Sequence, residues 1–185
     1  MDYSLSDTEV LNLAGDNTRM FTYQEIAKMS RLDQLINNQY PKAVILYMTG
    51  PNYGHWCGIK LMNVNGQVGI YFFDPYGTFP DSELGQIQKM KGREFAEETD
   101  QIHKKLTELI KKSPIQNVYY SQYRLQKLSP RISTCGRWTG LFLRSNMDEK
   151  QFNQHIHKIK LQLQKGTKKL ITNDDVIVYL TENLF

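Results

Sequence analysis

The 185-residue chain is 40% hydrophobic and 23% charged, with 12 glycines and 6 prolines, a composition that excludes a disordered segment, a collagen and a coiled coil. A chain of this length buries roughly 70% of the surface its unfolded form exposes, so one domain over 1–185 can build a core without disulfides or metals. The formal net charge of +4 hides an asymmetry, net −5 over 1–100 and net +9 over 101–185.

In chain order, Ser6-Asp7-Thr8-Glu9 reads as a helix cap before Val10, Leu11 and Leu13, with Gly15 as the stop. Ile26, Met29, Leu32 and Ile36 recur at three- and four-residue spacing, which predicts a second helix from about Thr22 to Ile36 and a helical first forty residues. Ala43 to Tyr47 is a short β-rich apolar run, stopped by Gly50-Pro51-Asn52, and reads as a buried strand. His55 to Val64 and Val68 to Phe73 are two further strands joined by Asn65-Gly66, a strong hairpin signal. They end at Asp74-Pro75-Tyr76-Gly77, a turn with Pro in its second position. Lys- and Glu-rich helical sequence follows from about Asp81 to Lys112, then strand-like Asn117 to Leu125, broken at Ser129-Pro130. Trp138, Leu141, Phe142 and Ser145 recur at helical spacing, which puts Cys135 in the first turn of a buried helix. One more helix is expected from about Asp148 to Leu163, and Val176 to Leu180 reads equally as helix or strand. The segregation of helices and strands predicts an α+β fold.

Apolar runs far shorter than about 20 residues exclude a membrane span. The first seven residues lack the basic cap and apolar stretch of a secretory signal, so the chain is expected inside a cell with Cys57 and Cys135 as thiols. Cys135 at a helix start meets the partial positive charge of backbone N–H groups, an environment that suits a nucleophilic thiolate. Of the four histidines, His55 is the one at a strand mouth beside a bulky Trp56, whereas His103, His155 and His157 fall in polar helical sequence. A hairpin turning at Asn65-Gly66 opposes residues whose numbers sum to 131, which sets Asp74 near position 57 and within about two residues of His55. A carboxylate there can fix the imidazole tautomer. Gly136, directly after the Cys, is expected to let a substrate backbone approach the helix start. Cys57 shares a strand face with His55 and reads as structural.

Gly54-His55-Trp56, Phe73-Asp74-Pro75-Tyr76-Gly77 and Thr134-Cys135-Gly136-Arg137-Trp138, with a Gln upstream of the Cys, resemble the cysteine protease clan of the adenovirus maturation protease and the SUMO-specific proteases. They look most like maturation proteases of virophages, Polinton-type elements and large DNA viruses, over roughly 43–145. The resemblance implies a mixed sheet flanked by helices, with His55 as general base, Asp74 orienting it, Cys135 as nucleophile and Gln126 as oxyanion donor beyond an enlarged loop through Ser129-Pro130-Arg131. It implies Trp56 packed over the imidazole, no metal or other cofactor, and cleavage of capsid or scaffold precursors near glycine by a monomer in the virion and host cytoplasm. Two rivals remain. One is a deconjugating isopeptidase with the same site. The other is a non-catalytic protein contacting DNA through its basic C-terminal half, where Lys104, Lys105, Lys111 and Lys112 and a cluster from Lys158 to Lys169 would attract polyanions.

Overall fold

The computed structural model describes residues 4–51, 53–129 and 131–184. Pro130, expected to break a strand, Asn52, expected in a turn, and the first three residues of the amino terminus lie outside the described residues.

Helix α1 (Asp7–Ala14) starts at a full capping box, Ser6 with Glu9, and stops at Gly15 with φ 88°, as the sequence predicts. The long second helix does not form. In its place are strand β1 (Thr18–Thr22), a single turn α2 (Tyr23–Ile26) and a 3₁₀ turn at Leu32–Gln34. Thr22 and Glu25 make a second capping box, so the helix begins directly where β1 ends. The Gln34 side chain then accepts from the N–H groups of Ser30 and Arg31, which fixes a turn where a helix would have continued. Ile26, Met29, Leu32 and Ile36 are buried nonetheless; their spacing records burial rather than one helix.

Strands β2 (Lys42–Gly50), β3 (Tyr53–Val64) and β4 (Gln67–Phe73) form an antiparallel meander. Asn65 and Gly66 turn the hairpin at φ 53° and 81°, and the register pairs Gly58 with Phe73 and Val64 with Gln67. The expected pairing rule therefore holds. Strand β5 (Asn117–Tyr120) pairs parallel with β4, and β1 pairs parallel with β2, giving a mixed five-stranded sheet in the order β1-β2-β3-β4-β5. The structure ends β5 at Tyr120, short of the expected Leu125. The helical stretch after Asp81 divides into α3 (Ser82–Lys91), α4 (Arg93–Glu98) and α5 (Lys105–Lys112).

Alternation along β3 sends successive side chains to opposite faces of the sheet. Cys57 and Ile59 join the core with Tyr23, Tyr47, Leu84, Ile87, Leu106 and Leu109, beneath α2, α3 and α5. Trp56 joins the core of the other face with Phe73, Trp138, Phe142 and Phe152. That second face carries α6 (Cys135–Arg144), α7 (Glu149–Lys165) and α8 (Asn173–Thr181), so the open choice at Val176 to Leu180 resolves to helix. The fold is α+β, a mixed sheet flanked by helices. No helix among the described residues is long and apolar enough to cross a membrane.

Helix α6 is held tightly at both ends. Lys60, buried on β3, donates from Nζ to the carbonyls of Phe142, Ser145 and Met147 at 2.8–3.0 Å. A cation is thereby set where the helix dipole favours one, while burial pulls its pKa down to about 7. Nearer the other end, α1 lies across Gly136 and Gly140. A Cβ on Gly136 would come within 2.7 Å of Val10, and one on Gly140 within 2.8 Å of Leu13. The absence of side chains there is what permits the close crossing.

Candidate active site

The hairpin brings His55, near the start of β3, beside Asp74, one residue past β4. The His55 Nε2 lies 2.8 Å from Asp74 Oδ1, with both groups buried. The same oxygen accepts the Tyr76 N–H at 2.8 Å, and Oδ2 accepts the Thr78 hydroxyl at 2.7 Å. Three donors thus fix the carboxylate, and with Nε2 committed to Asp74 the ring's other nitrogen, Nδ1, is left for a second partner. Cys135, the first residue of α6, is close enough to the imidazole to raise its pKa.

Burial works against charge on His55, but the neighbouring Cys57, the charge and hydrogen bond of Asp74, and the nearby Cys135 outweigh it and hold the imidazole pKa well above its ordinary value. Burial also opposes charge on Asp74, yet the neighbouring His55, with the bonds from Thr78 and Tyr76, keeps the carboxyl below its ordinary value. Both shifts stabilise the imidazolium beside the carboxylate, the form His55 takes once a proton has passed to it. Cys57 also touches the imidazole, but it is 0% exposed against 8% for Cys135. Burial, reinforced by Asp74, pushes its thiol well above the ordinary range. Glu83, in the first turn of α3, is close enough to feel His55 and Asp74, and burial raises its pKa.

Trp56, expected over the imidazole, and Gly136, expected where a substrate approaches, are turned elsewhere. Trp56 sits on the opposite sheet face from His55, its ring against Gly136 and its carbonyl accepting the Thr139 hydroxyl at 3.0 Å. Gly136 is closed in by Val10, Trp56 and Leu5. The reason is the strand period: neighbours on β3 cannot share a face. The imidazole is covered instead by Tyr76, stacked at 4.3 Å between ring centroids and 7° between planes. That residue was visible in the Asp74-Pro75-Tyr76-Gly77 turn, but nothing in the sequence told where its ring would point. His155 and His157 are exposed on α7, and His103 is exposed just before α5 rather than within a helix.

Gln126 lies on the flank of the site. Its backbone N–H donates to Pro75 O at 3.0 Å, tying its segment to the turn that carries Asp74. Its side-chain nitrogen donates to Ile132 O at 3.2 Å, while its Oε1 is buried without a partner. As an oxyanion donor it therefore has only its second amide hydrogen to offer.

The ligand atoms of His55, Cys57 and Asp74 lie within 4.8 Å of one another. The carboxylate is filled by protein donors, however, and the buried thiol resists becoming the thiolate a metal would need, so these residues suit a metal poorly. What they can do is move a proton. An imidazole held by a carboxylate and touching a thiol at a helix start can take the thiol proton and return it to a leaving group.

No family model matches the chain. It is similar to an uncharacterized protein, V9, of Sputnik virophage, 29% identical over 154 residues and covering 83% of each chain. Among solved structures it resembles the crystal structure of the ASFV pS273R protease, with TM-score 0.37 and 14% identity over 76% of this chain. It also resembles AvrA with IP6 and CoA, with TM-score 0.34 and 16% identity over 97% of this chain. The chain spans 41% of the former and 59% of the latter; both likenesses are too distant to bear on function.

Proposed function

We propose that this chain is a cysteine endopeptidase in which Cys135 is the nucleophile, His55 the general base and acid, and Asp74 the group that orients the imidazole. The observation that carries this reading is a buried imidazole bound to Asp74, with the thiol at the first residue of a helix close enough to raise its pKa. In the reaction, Cys135 Sγ bonds to the scissile carbonyl carbon as its proton passes to His55. The resulting oxyanion is held by the Cys135 backbone N–H and by the Gln126 amide hydrogen not given to Ile132 O. His55 protonates the leaving amine as the C–N bond breaks, and then draws a proton from the water that hydrolyses the thioester. The substrates we assign to it are capsid or scaffold precursors cut near glycine during particle assembly. The virophage relative supports the viral setting, and the substrate follows from the motif resemblance.

The test is mass spectrometry after brief treatment with a thiol-directed electrophile near neutral pH, comparing wild type with His55→Ala. Labelling confined to Cys135 and slowed by the loss of His55 is expected. An inert Cys135, or a Cys57 that reacts first, overturns the assignment.

A further inference from the structure

Asp174 lies in the first turn of α8, far in sequence from the site, yet its carboxylate serves three groups that belong to other segments. Oδ1 accepts the Thr134 hydroxyl at 2.5 Å and the Trp138 indole N–H at 3.4 Å. Oδ2 accepts the backbone N–H of Lys127 at 3.2 Å. Helix α8 does not need this carboxylate for its own start, because Thr172 and Asp175 already form its capping box. Thr134 is the cap residue of α6, where a threonine hydroxyl ordinarily accepts a backbone N–H of the first turn. Here it makes no such bond and donates to Asp174 instead. Thr134 itself is 0% exposed, so water cannot replace the lost partner.

We infer that Asp174 is a positioning residue for the site, one carboxylate that sets the start of the nucleophile helix against the Gln126 segment. One oxygen fixes the residue before Cys135; the other fixes the residue after Gln126. The two segments that would present the nucleophile and an oxyanion donor are thereby held in register by a helix that contributes nothing to the reaction itself. This inference rests on the protease reading.

The test is the rate of Cys135 alkylation by iodoacetamide as a function of pH, in the full chain and well below each variant's melting transition. Wild type, His55→Ala, Thr134→Val, Asp174→Ala and Asp174→Asn are compared. Thr134→Val, which keeps the side-chain shape, and Asp174→Ala are each expected to slow alkylation about tenfold and shift its pH profile, as displacement of a reacting group does. Asp174→Asn, which keeps an oxygen for Thr134 but sets an NH₂ against the Lys127 N–H, is expected to fall between wild type and Asp174→Ala. If Asp174→Ala fails to fold, Thr134→Val decides. Wild-type rate and pH profile in Thr134→Val, with His55→Ala slow, would overturn the positioning role and leave the protease reading standing. Equal rates in wild type and His55→Ala would overturn both.

Discussion

Two carboxylates seven residues apart, Asp74 and Asp81, are both buried and both fully bonded, yet they do different work. Asp81 accepts the hydroxyls of Tyr23 and Tyr47 at 2.8 and 3.1 Å, and the backbone N–H and hydroxyl of Thr107 at 2.8 and 2.7 Å. All of these partners keep their protons near neutrality. Burial, then the Asp81 charge, pushes both tyrosines further up from their ordinary range. Asp81 also holds φ 68°, a conformation unusual for a residue with a side chain. It joins α2, β2 and α5 as a fixed peg. Asp74 has one partner of another kind, an imidazole whose proton can leave and which touches a thiol. A buried carboxylate is therefore structural or chemical according to whether its donor can be exchanged, not according to its own burial.

This contrast can be broken by substitution. Cys135→Ala is expected to abolish hydrolysis of any peptide substrate, and His55→Ala to lower it on the order of 10²- to 10⁴-fold, read by steady-state rates on folded protein. Asp74→Asn should lose activity on a similar scale, because the amide favours the wrong tautomer. Asp81→Asn should act on stability and leave the chemistry alone. It sets an NH₂ among hydroxyl and N–H donors and is expected to cost about 1–3 kcal/mol in a denaturant titration, with activity per folded molecule preserved. Tyr47→Phe removes one donor from that cluster, for about 1 kcal/mol.

The smallest effect separates the two by pH. His55 is raised, so its contribution to stability is fully present below about pH 6.5, the unfolded value, and is lost as pH rises through the higher folded value. Asp74 is lowered, so its contribution is present above about pH 4 and is lost as pH falls through the lower folded value. Melting midpoints of wild type and His55→Gln should therefore converge on the alkaline side. A constant difference across that range would show that the imidazole carries no excess charge.

Much of the site was legible because it rests on local rules. The Asn65-Gly66 turn fixes the hairpin register, the register places Asp74 beside His55, and the apolar spacing after Cys135 makes it the head of a helix. Strand β1 was not legible. Its five residues are all half-buried, with neither alternation nor an apolar run to mark them, and it exists because β2 offers it an edge. Gly136 was misread because a glycine records only that something comes close, and the neighbour proved to be Val10 rather than a ligand. Asp174 and Tyr76 depend on contacts between distant segments, for which local sequence carries no sign.

The crossing of α1 over Gly136 and Gly140 also bears on the order of assembly. Residues made among the first fifteen dock on residues made after the first 130, a closure that covers most of the chain and is slow for that reason. During synthesis the sheet and its hairpin can pair before α6, the helix that α1 crosses, has been made. The head of α6 therefore acquires its α1 neighbours only after all the strands of the sheet have been made.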